Sequence, residues 1–98
     1  MDIGRKYYLY MLKIAEEATG LTATSRRTYG SVLVRSFVSY RLRREGWTYG
    51  DIGDVAGKDH ATVMNQVRKV EDMLALPAVF KNENALYYKF ERLLEDGE

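Results

Sequence analysis

Glycine residues divide the chain into stretches in which apolar residues recur at the three- and four-residue steps of an α-helix. Gly20, Gly46 and Gly57 fall between these stretches, and the single proline, Pro77, follows the clearest of them. Because glycine at a helix end and proline beyond it are ordinary stop signals, the pattern predicts an all-α fold of about five helices and no sheet. The predicted helices cover residues 5–19, 31–45, 49–56, 60–75 and 83–95.

The apolar faces of these stretches predict one shared core. The first helix leaves two alternatives for its buried face, which begins at either Leu9 or Tyr8 and continues through Leu12 and Ala15. The tyrosines near the start of the chain are predicted to belong to the core or to an interface rather than to stack on bases. The other predicted core residues are Val34, Phe37, Val38, Val63, Val67, Val70, Leu74, Leu86, Phe90, Leu93 and Leu94.

Composition excludes several classes of protein. A chain of 98 residues, 46% hydrophobic and 30% charged, has the size and balance of one globular domain. It has no cysteine and one histidine, which excludes a disulfide framework, a thiolate metal site and a two-histidine metal site. The longest apolar run, residues 7–12, is far shorter than the ~20 residues of a membrane span. Without a secretion signal pattern, we expect a cytoplasmic protein that needs no cofactor or metal.

Charge is distributed unevenly along the chain, although the formal net charge is only +1. Residues 25–45 carry a net charge of +5 and residues 58–69 a net charge of +2. Residues 71–98 carry a net charge of −4. A basic middle followed by an acidic end predicts a polarised surface, and such a surface governs the choice of partner more than the total charge does.

The stretch from residue 47 to 70 predicts a helix-turn-helix, because a short helix and a longer helix are joined by a turn at Gly57. Thr48 and Asp59 are the predicted N-caps of the two helices. In this motif the first turn of the second helix meets base edges in the major groove of DNA. The residues at that first turn carry groups that suit contacts with phosphates, base edges and thymine methyl groups. They are Lys58, Asp59, His60, Ala61 and Thr62. Asn65 lies one turn further along the same helix.

The same stretch resembles the C-terminal DNA-binding domain, domain IV, of the bacterial replication initiator DnaA. The resemblance rests on Asp51-Ile52-Gly53 and on the string Gly57-Lys58-Asp59-His60-Ala61-Thr62-Val63, which is similar to the string that opens the recognition helix in that family. It extends upstream, where residues 25–27, Ser25-Arg26-Arg27, resemble the basic loop of the family and Arg35, followed by Phe37 and Tyr40, resembles its next helix. It covers about residues 20–75.

The resemblance implies a helix-turn-helix fold of the TrpR/DnaA domain IV type that binds double-stranded DNA in replication initiation or its regulation. The recognition helix would read the major groove, and the basic loop would contact the backbone and an adjacent minor groove. Arg26, Arg27 and Arg35 would supply the loop and flanking contacts. Thr48 and Tyr49 would lie near phosphate.

Departures from the family pattern leave alternatives open. Ala61 stands where the family often has threonine or serine, and Leu33 and Val34 stand nearest to an expected arginine. No nucleotide-binding phosphate loop occurs, so we expect a stand-alone DNA-binding domain, with residues 76–98 as an acidic helical extension. The alternative is a protein-interaction module that keeps the fold without the DNA role. No nucleophile and base pair is visible, so an enzyme is not expected, whereas a homodimer stays open.

Overall fold

The computed structural model describes residues 3–24 and 26–97, and these residues form five α-helices and no strand. The predicted all-α class and helix number are therefore confirmed for the described part of the chain. Ser25, which the resemblance assigned to the basic loop, lies outside the described residues. None of the five helices is long and apolar enough to cross a membrane. The helices are α1 (Ile3–Thr19), α2 (Tyr29–Arg44), α3 (Tyr49–Ala56), α4 (His60–Ala75) and α5 (Lys81–Asp96).

Helix α1 resolves the two alternatives for its buried face in favour of Tyr8. Tyr8, Met11, Ala15 and Ala18 are buried, whereas Leu9 is exposed. The buried set follows three- and four-residue steps along one side of the helix. Gly20 then ends the helix with a positive φ of 72°, the left-handed conformation in which glycine carries no steric cost.

Helix α2 is the central element, because it packs against α1, α3 and α4. Thr28 caps it, accepting a hydrogen bond from the Ser31 backbone N–H, so the helix begins at residue 29 rather than at the predicted residue 31. Its buried side includes three serines, Ser31, Ser36 and Ser39, that no apolar pattern indicates. The apolar members of this side are Leu33, Val34, Phe37, Val38 and Leu42.

Helices α3 and α4 follow the predicted bounds, and their predicted caps are confirmed. Thr48 accepts a hydrogen bond from the Asp51 backbone N–H at 3.0 Å, and Asp59 accepts one from the Thr62 backbone N–H at 2.7 Å. Gly57 adopts a left-handed φ of 68° between the two helices. The predicted valine stripe of α4, Val63, Val67 and Val70, is buried in the core.

Helix α5 belongs to the same core as the segment that carries the resemblance. It begins at Lys81 rather than at the predicted residue 83. Its buried Tyr87 lies edge-on to Phe37 of α2 at 5.2 Å between ring centroids. The Asn84 side-chain amide donates to the backbone carbonyls of Met73 and Phe80 at 2.9 and 2.8 Å, which fixes α5 to the end of α4.

Candidate nucleic-acid interface

A cleft of about 550 Å³ opens between the segment 24–36 and one side of α4. We call it the basic cleft, because among its described lining residues six are cations and only Asp72 is acidic. Two cations come from the α1–α2 loop and one from α2, while two come from α4 and one from the turn that precedes it. They are Arg26, Arg27, Arg35, Lys58, Arg68 and Lys69. The uncharged lining residues are Thr24, Ser31, Val32, Ser36, Thr62, Asn65 and Gln66.

The loop side of the basic cleft is fixed by hydrogen bonds to one carbonyl. The Thr24 backbone carbonyl accepts from the Ser31 hydroxyl at 2.8 Å and from the Arg35 guanidinium at 2.9 Å. The Thr24 hydroxyl oxygen in turn accepts from the Arg26 backbone N–H at 3.2 Å. Arg35 therefore positions the loop, while the exposed side chains of Arg26 and Arg27 line the cleft.

The helix side of the basic cleft begins at a tight turn. A Cβ at Gly53 would lie 2.6 Å from the Lys58 carbonyl oxygen, so glycine allows α3 to approach this turn closely. Hydrogen bonds from the Thr62 side chain and backbone hold the pKa of the Asp59 carboxyl below its ordinary value, with smaller contributions from His60 and Lys58. The exposed Asp59 is thus committed to capping through one oxygen.

A second group of side chains lies at the start of α3 and α4, outside the lining of the basic cleft. We call this group the aromatic rim, and it consists of Arg43, Tyr49 and His60. The Arg43 guanidinium stands 4.5 Å from the centre of the Tyr49 ring, and the His60 ring lies 5.6 Å from the same ring. Arg43 also donates to the Trp47 carbonyl at 3.0 Å. His60 itself is exposed.

The residues predicted as a DNA-binding site therefore fall into three positions. Six of the predicted eleven line the basic cleft: Arg26, Arg27, Arg35, Lys58, Thr62 and Asn65. Tyr49 and His60 form the aromatic rim with Arg43. Thr48, Asp59 and Ala61 lie in neither group, although all three are exposed at the starts of α3 and α4.

Several residues of the cleft and the rim were missed by the sequence reasoning. Arg68 and Lys69 line the cleft but were not among the predicted DNA-binding residues. Helical spacing could have found Lys69, which lies seven residues after Thr62 and four after Asn65, on the side of the helix that those two residues share. The same spacing could have found Gln66, which lies four residues after Thr62. Arg43 carries no comparable signal, because its role depends on a contact with α3.

Comparison with protein-family models, with curated proteins and with solved structures finds no match for this chain.

Proposed function

We propose that this chain is a double-stranded DNA-binding domain of the DnaA domain IV type. In this proposal α3, the turn at Gly57 and α4 form a helix-turn-helix, and α4 is the recognition helix. Its first turn, where His60 and Ala61 are exposed, supports contact with base edges in the major groove. The family resemblance extends the proposal to replication initiation or its regulation.

The observation that carries the proposal is the basic cleft. Arg26 and Arg27 are more than thirty residues from Lys58 in the sequence, yet they line one concave surface with it. Phosphate contacts supply most of the affinity in sequence-independent DNA binding. A surface whose described lining has six cations and one carboxylate favours a polyanion such as the DNA backbone.

A titration of labelled duplexes by fluorescence anisotropy tests the proposal, with an initiator-box duplex and a random duplex at several salt concentrations. If about four to six phosphates are neutralised, the logarithm of the affinity should fall against the logarithm of salt with a slope of roughly −4 to −5. Failure to bind either duplex at low salt would contradict the proposal.

Two variants test the assignment of α4. We expect Lys58→Ala to weaken binding to both duplexes and to flatten the salt slope by about one. We expect His60→Ala to weaken binding while leaving the helical circular-dichroism signal intact. Arg92→Ala is the control, because Arg92 is exposed on α5 and does not line the basic cleft. Unchanged affinity in both α4 variants would overturn the assignment of the recognition helix.

A protein-interaction module is the second candidate, and one observation favours it. The turn between α4 and α5 exposes Leu76 and Val79, the latter to 70%, and exposed apolar residues next to each other are common at protein interfaces. Absence of DNA binding at every salt concentration would favour this function, whereas salt-sensitive binding would favour the first.

A further inference from the structure

Gln66 is a polar side chain on the side of α4 that packs against α2, and only 9% of it is exposed. Its amide oxygen accepts a hydrogen bond from the hydroxyl of the fully buried Ser39 at 2.7 Å. Its amide nitrogen donates to no described residue, although Gln66 lines the basic cleft. The nitrogen is not sealed in the core, because the Tyr87 hydroxyl is the one fully enclosed polar atom without a partner among the described side chains.

Ser39 restricts what the Gln66 amide can recognise. A glutamine that reads adenine uses its oxygen as an acceptor and its nitrogen as a donor at the same base edge. The Gln66 oxygen already accepts from Ser39, which orients the amide, and the N–H groups are the part of the amide without a partner among the described residues. Two N–H donors beside several cations suit an oxygen atom with negative charge better than they suit a base.

The surroundings of Gln66 have the same character. Thr62 lies one turn before it on α4 and Lys69 about one turn after it, and both line the basic cleft. Arg35 lines the opposite wall, one turn before Ser39 on α2. A phosphate that enters between these two helices would meet cations at the mouth and an oriented amide at the floor.

We propose that the Gln66 amide nitrogen donates a hydrogen bond to a phosphate oxygen of the DNA backbone, and that the Ser39 hydroxyl holds the amide in the required orientation. This inference rests on the proposed DNA binding. It adds an uncharged hydrogen-bond donor to a surface that otherwise attracts DNA through its cations. Gln66 then fixes the register of the backbone in the cleft, while base recognition stays with the first turn of α4.

The Gln66→Met variant tests the contact, because methionine keeps the length of the side chain and removes the amide. We expect Kd to rise roughly tenfold on both an initiator-box and a random duplex, the scale of a lost hydrogen bond to a charged group. The salt slope should stay that of the wild type, because glutamine carries no charge and its loss changes no counterion release. Lys69→Met, in the same cleft, is the comparison variant, and its loss of one cation should make the salt slope flatter by about one. Asn82→Met, on the exposed start of α5, is the control for replacing an amide.

A set of duplexes, each with one phosphate replaced by a neutral methylphosphonate, identifies the contacted phosphate. At the one position where Gln66 contacts the backbone, the wild type and Gln66→Met should bind with equal Kd. The phosphate oxygen that accepts from Gln66 has lost its negative charge in that duplex. The same tenfold ratio at every position would overturn the inference, and so would a loss confined to one base sequence.

A further variant distinguishes a loss of folding from a loss of the proposed DNA contact. If Gln66→Met loses the wild-type circular-dichroism signal, Gln66→Glu is measured instead, since its carboxylate still accepts from Ser39. A carboxylate facing phosphate should weaken binding by at least about tenfold, and affinity equal to the wild type would overturn the inference. A wild type that binds no duplex contradicts the proposed function itself, whereas wild-type affinity in Gln66→Met removes the inference alone.

Discussion

Two pairs of arginines from the same basic segment have opposite surroundings in the fold. Arg26 and Arg27 line the basic cleft, and neither forms an ion pair with a described residue. Arg41, by contrast, pairs with Glu45 at 2.9 Å and with Glu91 at 3.2 Å, and Arg44 lies 3.7 Å from Glu91. The net charge of +5 over residues 25–45 therefore overstates what this segment can offer to a polyanion.

The acidic α5 does more than balance the charge of the basic segment. Glu91 of α5 neutralises the end of α2, where the arginines serve packing between helices. In the loop before α2, Arg26 and Arg27 pair with no carboxylate of the described residues, so their charges are not neutralised in this way. The fold thus pairs one group of arginines with carboxylates and leaves the other group outside the ion pairs of the described residues.

The largest expected effect comes from replacing each pair as a unit. Arg26→Gln with Arg27→Gln should weaken duplex binding roughly a hundredfold at low salt and flatten the salt slope by about two, because two phosphate contacts are lost. Arg41→Gln with Arg44→Gln should leave Kd within about twofold. Anisotropy titrations at four salt concentrations measure both. Equal losses of duplex affinity in the two double variants would show that the two arginine pairs do not differ in DNA binding.

A smaller effect is expected on stability from Arg41→Gln alone. The Arg41 side chain is 17% exposed and pairs with two carboxylates, so its loss should lower the free energy of unfolding by about 1 kcal/mol. For a domain of this size that corresponds to a Tm lower by about 4–8 °C. Thermal unfolding followed by circular dichroism measures it, with Arg92→Gln as the exposed control. A Tm like that of the wild type, together with weaker DNA binding, would reverse the roles of the two arginine pairs.

Much of the fold was predictable because its signals are local. Thr48, Gly57 and Asp59 set the bounds of α3 and α4 through caps and a left-handed turn, which depend on neighbours within four residues. The start of α5 was predicted two residues late, because Phe80 gives it no side-chain cap. Its anchor is Asn84, which reaches back to the Met73 carbonyl on α4.

The candidate site was predictable only in part, for the same reason. Lys58 and Thr62 belong to one local pattern, and the resemblance added Arg26 and Arg27. That the loop and α4 line one cleft depends on how α2 packs against α4, which no spacing in the sequence encodes. The Ser39–Gln66 hydrogen bond joins residues 27 positions apart, and the pairing of Arg41 with Glu91 spans 50 positions.

A weaker test concerns the carboxylate nearest to Lys58 in the sequence. Asp59→Asn keeps an oxygen for the cap of α4 and removes a negative charge beside the basic cleft. We expect affinity for a random duplex to rise about two- to threefold. A sequence-selective loss would instead show that Asp59 accepts from a base.

The Asp59→Asn variant should also differ from the wild type in how its stability changes at acidic pH. The pKa of Asp59 is lowered in the folded state, first by the hydrogen bond from the Thr62 side chain. Its contribution to stability is therefore present above the unfolded pKa and is lost as pH falls through the folded pKa. Asp59→Asn should lack this acid-dependent loss, which thermal melts between pH 5 and pH 2 would measure against the wild type.

The smallest effect is expected at Glu83 of α5, because its carboxylate accepts a hydrogen bond from a tyrosine hydroxyl and not from an arginine. The Tyr29 hydroxyl at the start of α2 donates to Glu83, and this joins α5 to the element that carries the basic loop. Burial, followed by the hydrogen bond to Glu83, raises the pKa of Tyr29 to about 12, while the same bond lowers the pKa of Glu83. Because the Tyr29 side chain is exposed, Tyr29→Phe should cost only ~0.2–0.5 kcal/mol near neutral pH.

The pH dependence of that difference distinguishes the hydrogen bond from simple packing. A tyrosine whose folded pKa is raised contributes its full stability below the unfolded value of 10.0 and loses it as pH rises toward about 12. A glutamate whose folded pKa is lowered contributes above its unfolded value of 4.5 and loses that contribution as pH falls through the folded one. Urea unfolding of the wild type and Tyr29→Phe should therefore give a constant difference between pH 6 and pH 9 that shrinks above pH 10. A difference that stays constant to pH 11 would mean that the ring, and not its hydroxyl, joins α2 to α5.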